Sequence, residues 1–136
     1  MTITVERMPE EPIIIATFVE PVDFRLETPP MFQQFIELRD TELEGYSRYY
    51  TIIDTNGVKA GFSDIVFTLG ESRAAREKRR EDRPVTLILV GSGALMELAS
   101  KAMGQSQYGG YGMRLFTSLD DALESIREEL VEEPAA

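Results

Sequence analysis

Val85-Thr86-Leu87-Ile88-Leu89-Val90 runs straight into Gly91-Ser92-Gly93, and a helical pattern from Ala94 to Met103 follows before Gly104. An apolar run rich in β-branched residues and closed by glycine reads as a strand buried on both faces. A helix starting at its carboxyl end makes this half of a βαβ unit. The fold class is therefore α/β. In such sheets a ligand or partner most often binds at the carboxyl ends of the strands.

The rest of the chain extends that unit in both directions. Ile3 and Val5 alternate with Thr2, Thr4 and Glu6, which predicts a half-exposed strand over Met1 to Arg7. The turn Met8-Pro9-Glu10-Glu11 leads into the more buried Pro12 to Val19, so the first strand is an antiparallel edge. Thr28-Pro29-Pro30 predicts a helix start, with Thr28 capping and Pro29 in the first turn. Phe32, Phe35, Ile36 and Leu43 share one face, and the helix is expected to stop at Gly45. Arg48 to Asp54 predicts the third strand and Thr55-Asn56-Gly57 a turn. Ser63 is expected to cap the next helix, with Phe62 and Phe67 as a hydrophobic staple. Ile65, Val66 and Leu69 form its stripe, which gives way to a charged stretch from Glu71 to Arg83. After the loop Gly104 to Gly112, Met113 to Phe116 predicts a short last strand. Ser118 and Asp121 stand at capping-box spacing before a helix that buries Leu119, Ala122, Leu123, Ile126 and Leu130. The expected order is β-β-α-β-α-β-α-β-α. That describes a single domain over residues 1–136, with one mixed, mostly parallel sheet, an antiparallel amino-terminal edge strand and helices on both faces.

Composition narrows the function classes. The chain has 136 residues, no Cys, no His and a net charge of −10. An acidic surface argues against nucleic acid, whose counterions only a basic face displaces. Without His or Cys, Ser-His-Asp catalysis, thiol chemistry and His-ligated zinc are ruled out. Neither a metal nor another cofactor is expected. No apolar stretch approaches a membrane span and no signal segment is visible, so a cytoplasmic location is expected.

The element order and local wording resemble the anti-sigma-factor-antagonist (STAS) and SpoIIAA-like domains. Ile52-Ile53-Asp54 resembles their strand ending in Asp, Thr55-Asn56-Gly57-Val58 their turn, and Phe62-Ser63-Asp64-Ile65 their helix start. The resemblance implies that Ser63 stands where a kinase phosphorylates the family's serine. The family's Asp-Ser-Ser-Gly-Leu is absent here. The Val-Gly-Ser strand exit and the Gln-Tyr-Gly-Gly of Gln107 to Gly110 are similar to a bacterial group that shares the fold.

The candidate regulatory or binding residues are Asp54, Ser63, Ser92, Tyr108 and Tyr111. Each has a structural alternative. Asp54 can cap its own turn, Ser63 its helix, and Ser92 can serve only the glycine turn. Tyr108 and Tyr111 sit in a glycine-rich loop suited to contact, or fold back on the core. The expected function is a non-catalytic regulatory or interaction domain that binds a protein partner or a second copy of itself. A homodimer would set the basic run Arg73 to Arg83 against the acidic helix Asp120 to Glu129, with the tyrosine loop adding apolar area. The alternative is a small-molecule or lipid carrier, since CRAL-TRIO (Sec14-like) domains resemble the same fold. That reading needs a cavity of several hundred Å³. An enzyme ranks third.

Overall fold

The structure is a computed structural model that describes residues 3–79, 83–92, 94, 97, 98 and 114–133. Its elements in chain order are β1 (Ile3–Arg7), β2 (Ile13–Val19), α1 (Phe24–Glu42), β3 (Tyr49–Gly57), α2 (Phe62–Arg79), β4 (Val85–Val90), β5 (Arg114–Phe116) and α3 (Leu119–Glu132). The five strands form one sheet in the order β1-β2-β3-β4-β5. β1 pairs antiparallel with β2, and every other pairing is parallel. The α/β class, the mixed sheet and the amino-terminal edge strand stand as the sequence predicts. Of the expected helix Ala94 to Met103, the described Ala94, Glu97 and Leu98 are helical.

Strand alternation decides what each face carries. Ile14, Ala16 and Phe18 of β2 and Leu87 and Leu89 of β4 point to one face, where α1 and α2 supply Phe24, Met31, Phe32, Phe35, Ile65 and Leu69. Ile13 and Ile15 of β2, Tyr50 and Ile52 of β3, and Ile88 and Val90 of β4 point to the other face. There α3 covers them with Ala122, Leu123 and Ile126. Strands that follow one another in sheet order, joined by right-handed crossovers, place their helices on one side. Leu98 packs on that same side. α3 follows the last strand and closes the opposite face. Each fully buried aliphatic side chain contributes about 1.5–3 kcal/mol. Both faces of β4 are therefore core.

Several boundaries differ from expectation, the largest differences for local reasons. α1 begins at Phe24 because Asp23 outcompetes Thr28 as a cap: its carboxylate accepts from the N–H groups of Arg25 (3.1 Å) and Leu26 (3.2 Å). Glu27 reaches back to accept from Asp23 N at 2.8 Å. Pro29 and Pro30 consequently lie inside the helix. Proline has no N–H, so Pro29 and Pro30 donate no helical hydrogen bond to the carbonyls of Arg25 and Leu26, both exposed residues. Thr28 instead turns its hydroxyl onto Phe24 O at 2.5 Å. α1 ends at Glu42, short of Gly45, with Leu43 buried as its C-cap. β3 runs on to Gly57, because its carboxyl end continues to pair with β2 at Val19.

Ser63 is not the cap of α2. Gly61 holds that position: its carbonyl accepts from Ile65 N at 3.2 Å and its N–H donates to Asp64 Oδ2 at 3.0 Å. Phe62 lies within the helix and packs on the core. Phe67 sits under the Arg25 guanidinium, 4.9 Å from ring centroid to carbon, in place of the expected staple. Ser118 does cap α3, accepting from Asp121 N at 3.1 Å.

Candidate functional site

Parallel strands gather Val19, Asp54, Val90 and Phe116 at one edge of the sheet, and the amino-terminal turns of α1, α2 and α3 lie at the same edge. Asp54 aligns with Thr17 and Val90 across the sheet. Its Oδ1 accepts from Asn56 N at 3.1 Å, so the carboxylate shapes its own turn. Ser92 is exposed just beyond β4, and Ser63 is exposed in the first turn of α2. The structure therefore brings Asp54, Ser63 and Ser92 to one edge without joining them in one hydrogen-bonded cluster. Tyr108 and Tyr111 lie outside the described residues, as does most of the glycine-rich loop.

The sequence reading missed the side chains that tie this edge together. Thr55 Oγ1 donates to Val90 O at 2.8 Å, and Asn56 Nδ2 donates to Thr117 O at 3.1 Å. Glu20 Oε1 accepts from Lys59 N at 2.7 Å. Each links segments far apart in sequence, so no local spacing announces it. Also missed were two exposed apolar side chains: Val19, 58% exposed at the end of β2, and Leu26, 72% exposed in the first turn of α1. Val19 falls on the alternation of a strand otherwise read as buried. Leu26 lies upstream of the expected helix start.

The opposite edge is built from ionised side chains. Arg114 Nη1 donates to Glu129 Oε2 at 2.6 Å, and Arg48 Nη1 to Glu129 Oε1 at 3.2 Å. Arg48 also donates to the carbonyls of Glu129 and Glu133 at the end of α3. The Arg114 hydrogen bond, followed by the neighbouring Tyr50 and Arg48, holds the Glu129 carboxyl below its usual range, against the opposing effect of burial. Tyr50 is buried beside this carboxylate, and its hydroxyl lacks a well-aligned hydrogen bond to any described residue. Burial first, and then Glu129, push its pKa up to about 12. Arg127 forms a side-on pair with Glu11, at 2.9 and 3.0 Å, which raises the guanidinium pKa further. The expected docking of an acidic α3 against another copy is thus altered: Glu129 is already engaged within the chain. Asp120, Asp121, Glu124 and Glu128 remain exposed. The basic run opposite falls largely outside the described side chains.

Among the described residues no cluster of acids is arranged to hold a metal ion. No described helix is long and apolar enough to cross a membrane. Comparison with protein-family models and with curated proteins finds no match.

Proposed function

We propose that the chain is a non-catalytic interaction domain of the SpoIIAA/STAS type, and that the carboxyl edge of its sheet is the contact surface. The observation that carries this reading is the exposure of Val19 and Leu26 on an edge where five polar side chains are committed to the main chain. Asp23, Asp54, Asp64, Glu20 and Ser118 all accept from backbone N–H groups there. Their work is structural, which leaves the apolar side chains to supply contact area. Acidic caps surround them, so the partner segment is apolar and flanked by Lys or Arg. Ser63 is exposed on the same edge, and a phosphoryl group there would add negative charge beside the contact. The carrier alternative is less well supported. Among the described residues the cavity beneath α1 and α2 is about 60 Å³, against the several hundred Å³ that a lipid tail requires, and the larger space between these helices is an open surface groove.

A photo-crosslinking residue placed at position 19 or 26 in the host cell tests the proposal, with position 131 as control. Val131 is 82% exposed near the end of α3, at the opposite edge. A discrete protein adduct from positions 19 and 26, but not 131, is expected. An adduct of twice the chain mass would identify the partner as a second copy. Absence of adducts from both edge positions, or equal adducts from 131, would overturn the reading.

A further inference from the structure

The chain holds a single asparagine, and a glycine follows it: Asn56-Gly57. The pair closes β3 at the carboxyl edge of the sheet. Thr17 of β2 stands opposite Asp54, and Val19 opposite Gly57. Two steps along β2 therefore face three along β3, so the register slips by one residue within this stretch. Thr55 is buried with its hydroxyl on Val90 O, whereas Asn56 is exposed. The Asn56 side chain reaches out of the strand. Its Nδ2 donates to Thr117 O at 3.1 Å, one residue before the cap of α3. This bond ties the end of β3 to the entry of α3.

We propose that Asn56 is a site of spontaneous deamidation, and that the reaction severs this tie. The Gly57 amide nitrogen loses its proton to solvent base and attacks Asn56 Cγ. The Cγ–Nδ2 bond breaks and ammonia leaves, which closes a succinimide ring. Water then opens the ring at either carbonyl. One opening gives aspartate; the other gives iso-aspartate, in which the main chain runs through the side-chain carbon. In sum one water is consumed and one ammonia released, with no oxidant, metal or enzyme. Three features of the place favour the reaction. Gly57 has no Cβ to obstruct the attack. The exposure of Asn56 admits hydroxide and water. The slipped register frees Asn56 from the regular pleat, which holds the nitrogen and Cγ apart. The bond to Thr117 O opposes it, because the amide must leave that carbonyl before ammonia departs. Neither product keeps the tie. An ionised carboxylate has no hydrogen to donate to Thr117 O. Iso-aspartate also adds a carbon to the main chain of β3, against the pairing of Gly57 with Val19.

The test does not depend on the contact proposed for this edge. The full chain is aged at body temperature in mildly alkaline buffer, folded and in guanidinium chloride, and followed by intact mass and peptide mapping. The folded chain should gain the mass of one deamidation, mapped to residue 56, with iso-aspartate the larger product. In guanidinium the reaction should be faster, because the bond to Thr117 is gone. Mildly acidic buffer should slow it, and Asn56→Gln should gain no mass over the same period. The separated iso-aspartyl chain and Asn56→Asp should each unfold about 2–6 °C below the unaged wild type. A folded chain still unmodified when the guanidinium sample is fully converted would overturn the site. Equal rates in the two states, or products that melt with the wild type, would overturn the tie.

Discussion

At the carboxyl edge of the sheet, Asp23, Asp54, Asp64 and Ser118 turn side-chain oxygens onto main-chain N–H groups. At the amino edge, guanidiniums are turned onto carboxylates and carbonyls. Arg83 Nη1 donates to Leu43 O at 2.6 Å and Tyr46 O at 3.0 Å, just past the end of α1. Arg48 does the same at the end of α3. One physical cause sorts both sets. α1 and α2 connect parallel strands, so they run antiparallel to them, and α3 returns from β5 in the same direction. Their positive ends therefore meet at one edge and their negative ends at the other. Acids and hydroxyls are favoured at the first, arginines at the second. The amino edge is consequently a clamp, while the carboxyl edge is finished with caps and carries two exposed apolar side chains, Val19 and Leu26.

Substitutions can break that comparison, and the largest effect belongs to neither edge. Leu89→Ala removes a side chain from β4, an interior strand of the sheet, where it pairs with Ile53 and Leu115. It should lower unfolding free energy by about 2–5 kcal/mol in denaturant titration. A loss below about 1 kcal/mol would mean that the edges, and not the interior, hold the sheet. Next comes the clamp. Glu129→Gln should cost about 1–2 kcal/mol at neutral pH, because two arginines lose a charged partner. The sign with pH follows from the depressed carboxyl. Its stabilisation is fully present above the ordinary value of 4.5 and is lost as pH falls through the lower folded value. Stability curves of the wild type and Glu129→Gln should therefore converge in acid. Parallel curves would remove Glu129 from the clamp.

A carboxyl-edge cap should behave differently. Ser118→Ala should cost about 1 kcal/mol, by loss of the hydrogen bond to Asp121 N, with the same deficit at every pH. A deficit that vanishes in acid would show that this cap acts through charge. Smallest of all, Ser63→Asp should change stability by less than about 0.5 kcal/mol, since the side chain is exposed and is not the cap. A larger loss would return Ser63 to a structural role.

How much of this was legible in the sequence depends on the range of the interaction. β4 was plain because its signal is local: an apolar run between polar and glycine-rich segments. The Ser118 cap and the buried face of α3 were plain for the same reason. The start of α1 was misread because two prolines suggested a first turn, whereas Asp23 and Glu27, spaced to bond each other's ends, carried the stronger signal. Ser63 was misread because Gly61 caps with no side chain at all. The clamp was invisible: Arg48 and Arg114 reach Glu129 only after β3, β5 and α3 have assembled. The candidate edge was legible in position, through Asp54, Ser63 and Ser92, but not in its exposed apolar residues, Val19 and Leu26.

The central claim is that the two edges divide stability from contact, and a crossed measurement tests it most directly. Unfolding free energy and yield of the position-26 or position-19 crosslinked adduct would be measured on two variants. One is Glu129→Gln. The other carries Glu at whichever of positions 19 and 26 does not hold the crosslinker. The edge variant should lose the adduct and keep its stability within about 0.5 kcal/mol. Glu129→Gln should keep the adduct and lose about 1–2 kcal/mol. An edge variant that retains the adduct, or a Glu129→Gln chain that loses it while still folded, would contradict the account.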